Sequence, residues 1–245
     1  MLQTFSVSLS ERKQLADDVY QFTFNTQGHS FEFQPGQYVI LHIPQEDGKV
    51  ARRLYSMASP HTQTDSFELL IEIVPEGLAS QHLMKMNVGD ELTVQGPAGM
   101  FTPKETDRSI VFLATGTGVA PIRSMIHWHL ERAEGTDIYL FWGFKTFQAV
   151  YLFEEFKALA AQHPNFHFYN CLSREQDLSC ISQDQAKEHY LLGHVNDELE
   201  KTLDKPTDSF QYYLCGGPKV VESLREWLDE KGVPKEQVHF EKFTA

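Results

Sequence analysis

Hydrophobic and polar residues alternate along the first hundred residues of the chain. One apolar run shows the spacing clearly: Phe67, Leu69, Ile71 and Ile73. Alternation with a period of two indicates strands that bury one face. Turn signals such as Pro35-Gly36 and Gly96-Pro97 interrupt the pattern at short intervals, and only residues 80–86 have helical spacing. The segment therefore predicts short antiparallel strands in a barrel or sandwich.

The pattern changes after residue 103. Residues 110–114 form a continuous apolar run that leads through glycines into apolar positions with helical spacing: Ile122, Met125, Ile126 and Leu130. Further strands are predicted at 138–142, 166–169 and 212–214. Buried strands that alternate with helices predict a doubly wound parallel sheet. The polar residues 103–108 separate the two patterns, so we predict a first domain at residues 1–103 and a second at 108–245.

Charge and cysteine content narrow the class of protein. The 245 residues carry a formal net charge of -13, which disfavours nucleic acid as a partner. No apolar stretch is long enough to span a bilayer, so we expect no membrane partner. The three cysteines, Cys171, Cys180 and Cys215, are too few for an iron–sulfur cluster and unlike a disulfide framework. We therefore expect a cytoplasmic protein, and the histidine spacing suggests no metal site.

A glycine-rich segment follows the first buried strand of the second region. Its residues are Thr115, Gly116, Thr117 and Gly118, with Pro121 shortly afterwards. Backbone amides without a Cβ nearby can approach an anion, and the dipole of the following helix favours a pyrophosphate there. Pro121 suits the first turn of that helix. A tight strand-to-helix connection explains the glycines equally well, and this alternative stays open.

Two segments of the first region carry groups suited to a large cofactor. Arg53, Leu54, Tyr55 and Ser56 lie on one predicted strand. Arginine donates to diphosphates, a phenol ring stacks on flat ring systems, and a hydroxyl reaches ring nitrogens. Gly77 precedes Ser80, which we predict to be a helix N-cap that leaves backbone amides free. An ordinary polar strand face and a plain capping serine are the alternatives.

Taken in order, these motifs resemble those of the ferredoxin–NADP reductase superfamily. The motifs are Arg53-Leu54-Tyr55-Ser56-Met57-Ala58-Ser59, Gly77-x-x-Ser80-x-x-Leu83, Gly96-Pro97-Ala98-Gly99, Gly116-Thr117-Gly118-Val119-Ala120-Pro121 and Cys215-Gly216-Gly217-Pro218. The resemblance spans nearly the whole chain. It implies an N-terminal antiparallel β-barrel that binds FAD, followed by an α/β domain that binds NAD(P), without an iron–sulfur domain.

The resemblance also implies roles for single residues. Arg53 and Ser80 would bind the FAD diphosphate, with Leu54 and Gly77 beside them. Tyr55 would stack on the isoalloxazine and Ser56 would lie near its N5 atom. The remaining residues would bind the nicotinamide dinucleotide: Thr115, Gly116, Thr117, Gly118, Pro121, Cys215, Gly216 and Gly217. A small buried residue at a strand end is the alternative interpretation of Cys215.

The C-terminus and one loop complete the predicted site. Glu241 and Phe243 resemble an ending in which an acid and an aromatic ring adjoin the flavin, although Thr244 and Ala245 follow here; the alternative is a core position for Phe243. We predict Ser56, Cys215 and Glu241 as the catalytic residues. Ser173 and Arg174 suit the 2′-phosphate of NADPH, unless Arg174 pairs with Glu175 in an exposed loop, and NADH is the other candidate donor.

These residues predict an oxidoreductase that transfers a hydride from NADPH to FAD and then passes electrons to a one-electron carrier. Ferredoxin, flavodoxin or an oxygenase component would be the acceptor. We also consider a reductase that uses free flavin as a substrate, and a non-catalytic module for redox sensing or assembly. A dehydrogenase that acts on a small substrate ranks last, because the first region offers no suitable catalytic constellation.

Overall fold

The computed structural model describes residues 2–132, 135–179, 181 and 186–243. Cys180, Thr244 and Ala245, which entered the sequence analysis, lie outside these residues. The chain divides into two compact units. The first comprises Met1–Pro103 together with Arg123–Trp128, and the second comprises Lys104–Ile122 and His129–Ala245.

The first unit is built on one six-stranded antiparallel sheet. Its strands are β1 (Gln3–Gln14), β2 (Val19–Asn25), β3 (Tyr38–Pro44), β4 (Val50–Ser56), β5 (Ser66–Glu72) and β6 (Glu91–Ala98). They pair in the order β4-β3-β6-β1-β2-β5, and an isolated bridge between Met57 and Leu69 joins the end of β4 to β5. The sheet therefore curls towards closure, and the predicted antiparallel barrel is confirmed.

The alternating residues of these strands fill the barrel core. Phe5, Val7 and Leu9 of β1 are buried, while most of the residues between them remain partly exposed. The rings of Phe24 and Phe67 stack across β2 and β5 with 5.6 Å between their centroids. Each large side chain buried in this way stabilises the fold by about 1.5–3 kcal/mol. The residues that recur with a period of two in the sequence thus form the inner face of the barrel.

The helix of the first unit begins earlier than the sequence suggests. Helix α1 spans Leu78–Lys85, and its N-cap is Gly77, which makes no side-chain capping bond. Ser80 lies inside the helix, is buried, and accepts a hydrogen bond from the amide of Val74 at 3.0 Å. The prediction of Ser80 as the N-cap was therefore wrong. The turn that Gly77 closes onto the Val74 carbonyl, at 2.8 Å, starts the helix before the serine is reached.

The second unit is built on a six-stranded parallel sheet with helices. Its strands are β7 (Ser109–Thr115), β8 (Ile138–Phe144), β9 (Phe166–Leu172), β10 (Tyr190–Leu192), β11 (Phe210–Gly216) and β12 (Val238–Lys242). Its helices are α2 (Val119–Leu130), α3 (Phe153–Gln162), α4 (Val195–Thr202) and α5 (Pro218–Glu230). Residues Arg123–Trp128 of α2 are assigned to the first unit. The predicted doubly wound parallel sheet is confirmed, and β10, α4 and β12 are elements that the sequence analysis did not predict.

The strand order of this sheet locates its binding edge. The order is β10-β9-β8-β7-β11-β12, so the chain adds strands on one side of β7 and then crosses to the other side. Ligands of doubly wound sheets bind outside the carboxyl ends of the strands, at the point where this direction reverses. That point lies between β7 and β11. The glycines after β7 and the Cys215 motif at the end of β11 meet there.

Among the described residues, no helix has the length and apolarity needed to cross a membrane. Within the same residues, no group of three or more histidine, cysteine or acidic side chains could hold a metal ion.

Candidate functional site

The glycines after β7 allow the chain to pass very close to the end of β11. Residues Gly116–Gly118 form one 3₁₀ turn between β7 and α2. A Cβ on Gly118 would lie 2.3 Å from the carbonyl oxygen of Cys215. A contact this short with backbone atoms cannot be relieved by rotating a side chain. Glycine at position 118 is therefore required by packing, whether or not a ligand binds.

The contact is reciprocal. A Cβ on Gly216 would lie 2.2 Å from the Oγ1 atom of Thr115. By contrast, a Cβ added to Gly116 or Gly217 would meet no atom within 4 Å, apart from chain neighbours. Gly116 has a φ of +52°, which favours glycine for conformational reasons as well. The loop is thus packed on the side of Gly118 and open on the side of Gly116 and Gly217.

Two helices begin beside this open space. Helix α2 starts at Val119, directly after the turn, and α5 starts at Pro218, with Gly217 as an N-cap that makes no side-chain capping bond. The first amides of a helix have no partner within it, and the helix dipole makes its N-terminus attractive to anions. Pro121 lies in the first turn of α2, as predicted. The residues present therefore fit a dinucleotide pyrophosphate.

The thiol of Cys215 lies at the same edge and is neutral. Its side chain is 2% exposed. Burial raises the pKa of Cys215 well above its ordinary value, and the nearby carboxylate of Glu241 raises it further. Glu241 stands beside Cys215 in the register of β11 and β12. A neutral thiol can fill space or donate a hydrogen bond, but it is a poor nucleophile.

The C-terminal segment is attached to this edge of the sheet. The amide of Phe243 donates to the carbonyl of Gly216 at 2.9 Å. The structure therefore brings Cys215, Gly216, Glu241 and Phe243 together. The Phe243 side chain is half-buried, so it is neither a full core residue nor fully exposed. The covering of a flavin face by this ring stays a prediction.

The predicted 2′-phosphate residues follow β9. The hydroxyl of Ser173 donates to the carbonyl of Phe144 at 3.1 Å. Arg174 is exposed, and its guanidinium forms no ion pair within the described residues. The carboxylate of Glu175 accepts the amide of Phe147 at 3.0 Å, so it is held by the neighbouring loop. The arginine therefore remains available to a ligand, whereas Ser173 would have to rotate its hydroxyl proton towards one.

Four of the predicted FAD residues, Arg53 to Ser56, are the last four residues of β4. Arg53 is exposed, and its Nη1 donates to the carbonyl of Arg52 at 2.9 Å. Leu54 is 56% exposed, Ser56 is buried, and Tyr55 is half-buried against the barrel core. Burial raises the pKa of Tyr55, and the charge of Arg53 opposes this shift less strongly. A flat ring with a cation two residues away fits a flavin nucleotide, and the uncapped start of α1 adds free amides.

Trp142 of β8 was missed by the sequence analysis. Its Nε1 donates to the carbonyl of Gly116 at 3.0 Å. The signal was a tryptophan inside an otherwise apolar buried strand, because a buried indole N–H requires an acceptor. Sequence alone does not show which acceptor the indole finds.

Two domain models match the sequence. The oxidoreductase FAD-binding domain matches residues 6–102, and the oxidoreductase NAD-binding domain matches residues 112–226. The chain belongs to the ferredoxin–NADP reductase superfamily. The resemblance of the motifs is therefore confirmed, and the chain contains an FAD-binding and an NAD-binding domain.

Similar members of the superfamily include reductase components of oxygenases. The propane 2-monooxygenase reductase component of Rhodococcus jostii (strain RHA1) is 32% identical over 217 residues, which is 88% of this chain and 56% of the relative. The anthranilate 1,2-dioxygenase electron transfer component of Acinetobacter baylyi is 30% identical, over 86% of this chain and 58% of the relative. The chain thus spans little more than half the length of these two relatives.

Other similarities extend over the whole chain. Ferredoxin–NADP reductase B of Sorangium cellulosum is 29% identical, over 98% of both chains. Among solved structures, the Amycolatopsis cytochrome P450 reductase GcoB is 27% identical with a TM-score of 0.88, over 100% of this chain and 71% of the other. A ferredoxin NADP+ reductase from Neisseria gonorrhoeae is 19% identical with a TM-score of 0.81, over 98% of both chains, which supports the fold alone.

We expect different effects from alanine at Gly118, which is packed, and at Gly217, which is open. Gly118→Ala places a Cβ against the Cys215 carbonyl, so we expect the free energy of unfolding to fall by about 3 kcal/mol. Gly217→Ala has room for its Cβ, so we expect stability to change by less than about 0.5 kcal/mol. Because that Cβ enters the open space, affinity for NADP+ should nevertheless fall about tenfold. Urea unfolding and calorimetric titration measure the two effects.

Equal stability of the two variants would contradict the packing argument. Full affinity of Gly217→Ala for NADP+ would contradict the placement of the ligand.

Proposed function

We propose that the chain is an FAD-dependent oxidoreductase that takes a hydride from NADPH and passes the electrons singly to a protein acceptor. The observation that carries this proposal is the glycine turn at the reversal point of the parallel sheet, in a chain that also contains an FAD-binding domain. The similarity to oxygenase reductase components supports it. We assign FAD to residues 1–103 and the dinucleotide to residues 108–245.

FAD, when bound, accepts a hydride from a nicotinamide and can release the two electrons one at a time. In this proposal, Arg53 binds the diphosphate together with the first amides of α1, which run from Leu78, directly after Gly77, to Ser80. Tyr55 presents its ring to the isoalloxazine, and Leu54 lies beside Arg53 on the same strand. Ser56 would donate a hydrogen bond near N5, the flavin atom that accepts the hydride.

The second unit binds and orients the nicotinamide dinucleotide. The amides of Thr117 and Gly118 hold the pyrophosphate, and the uncapped start of α5 adds further amides. The neutral thiol of Cys215 packs beside the nicotinamide without competing as a nucleophile. Glu241, next to Cys215 in the register, is the proposed acid–base group at this edge, because its carboxylate can accept a proton and pass it on.

The proposed acceptor is an oxygenase component, with ferredoxin or flavodoxin as the other candidates. We infer this class of acceptor because similar reductases are named as components of oxygenase systems or as ferredoxin–NADP reductases. The net charge of -13 disfavours a strongly acidic acceptor, because like charges repel during encounter. We place the protein in the cytoplasm, since the described cysteines, Cys171 and Cys215, are free thiols.

Replacement of Ser56 tests hydride transfer. We expect Ser56→Ala to retain FAD but to slow flavin reduction by NADPH about tenfold or more, because a hydrogen-bond donor beside the hydride-accepting N5 atom is lost. Stopped-flow absorbance under anaerobic conditions measures the rate. Ser10→Ala removes an exposed hydroxyl that bonds to Thr23 and should leave the rate unchanged. An unaltered rate in Ser56→Ala would refute the assigned role, and loss of FAD from the wild type on purification would favour a free-flavin reductase.

Replacement of Arg174 tests the choice of donor. Its guanidinium is exposed and unpaired within the described residues, so it can bind the 2′-phosphate with a charge-assisted bond. We expect Arg174→Ala to raise the KM for NADPH about tenfold or more while the KM for NADH changes less than about twofold. Arg132→Ala, an exposed cation beside Glu131 beyond the end of α2, serves as the matched control. Equal effects on both donors would contradict the assignment.

A further inference from the structure

The indole of Trp142 makes a specific contact with the glycine turn. Trp142 is fully buried on β8, and its Nε1 donates to the carbonyl of Gly116 at 3.0 Å. Tyr151 and Phe156 meet the indole edge-on, with centroids 4.6 Å and 5.8 Å away. The surrounding rings restrict the indole, so the direction of its N–H bond is fixed by packing.

The carbonyl that accepts this bond belongs to the first residue of the turn. The amide of Val119 also donates to it, so two donors hold one carbonyl oxygen. Carbonyl and amide of a trans peptide point in opposite directions within one plane. With the Gly116 carbonyl directed at the buried indole, the amide of Thr117 is directed away from it. Open space lies beside Gly116, where an added Cβ would meet no atom within 4 Å.

The conformation of Gly116 gives this bond its importance. Its φ of +52° lies in the left-handed region, and glycine has the greatest backbone freedom of any residue. A turn that begins with such a residue can adopt more backbone conformations. Some of these conformations would point the Thr117 amide away from the ligand. A donor fixed in the core removes that freedom before a ligand arrives, and preorganisation of this kind increases affinity.

We propose that Trp142 is a positioning residue for the nicotinamide dinucleotide: its buried indole holds the Gly116–Thr117 peptide so that the Thr117 amide faces the pyrophosphate. This inference rests on the proposed function of the glycine turn. It assigns a role to a side chain that does not itself touch the ligand. The effect of removing its donor should depend on whether the ligand contains a pyrophosphate.

Trp142→Phe tests the proposal, because it keeps an aromatic ring and removes the donor. In the FAD-loaded chain, we expect the affinity for NADP+ to fall about five- to tenfold, as for the loss of one hydrogen bond. Affinity for adenosine 2′-monophosphate, which lacks a pyrophosphate, should change less than about twofold. Trp227→Phe, the same substitution on α5, is the matched control and should change neither. Isothermal titration calorimetry measures both ligands, and thermal unfolding with FAD content checks the fold.

Unchanged affinity for NADP+ in Trp142→Phe, or an equal loss of affinity for both ligands, overturns the proposal. Trp142 would then contribute to packing only. A wild-type chain that binds neither ligand instead refutes the proposed function itself, and the inference with it.

A measurement on the wild-type chain covers the case in which Trp142→Phe fails to fold. The three indole N–H resonances can be assigned with Trp128→Phe and Trp227→Phe. The Trp142 resonance should be protected from exchange with solvent and should shift on addition of NADP+. An indole that exchanges freely and does not shift contradicts the proposal.

Discussion

The close approach of two backbone segments at the reversal point of the parallel sheet is the constraint on which the second unit depends. Gly118 lies against the carbonyl of Cys215, and Gly216 lies against the hydroxyl of Thr115. These contacts join the loop after β7 to the end of β11, and neither glycine has room for a side chain. They also place the N-termini of α2 and α5 beside one open space. Packing and ligand binding therefore make separate demands on neighbouring glycines.

The electrostatic design is local. The chain carries a net charge of -13, which repels a phosphate-bearing ligand at long range. In the proposed function, backbone amides at two helix N-termini compensate for this repulsion at short range, and Arg174 supplies a cation that no described acidic group neutralises. The burial that surrounds the amides also keeps the thiol of Cys215 protonated. In the proposed function, one edge of the sheet thus combines anion binding with a thiol that is a poor nucleophile. This combination suits hydride transfer without a covalent intermediate.

The sequence predicts both sheets because their strands have distinct patterns: β1, β3 and β6 alternate between buried and more exposed residues, whereas β7, β8 and β11 are mostly continuous apolar runs. It fails at short or polar elements. Strand β10 has three residues, and α4 carries its own acidic face. The N-cap was misplaced because Gly77 closes a local turn onto the Val74 carbonyl, and this turn starts α1 before Ser80. Motifs identify the glycine turn, but they cannot reveal that Trp142 donates to it, since that hydrogen bond joins β8 to the turn after β7.

The account as a whole requires one chain to hold a flavin and to reduce it with a nicotinamide dinucleotide. Anaerobic titration of the purified, FAD-loaded protein with NADPH, followed by the visible absorbance of the flavin, tests this directly. The account predicts a yellow protein whose flavin band disappears as about one equivalent of NADPH is added, since one hydride reduces one flavin. A protein that cannot retain FAD, or whose bound flavin stays oxidised in excess NADPH and NADH, would contradict it.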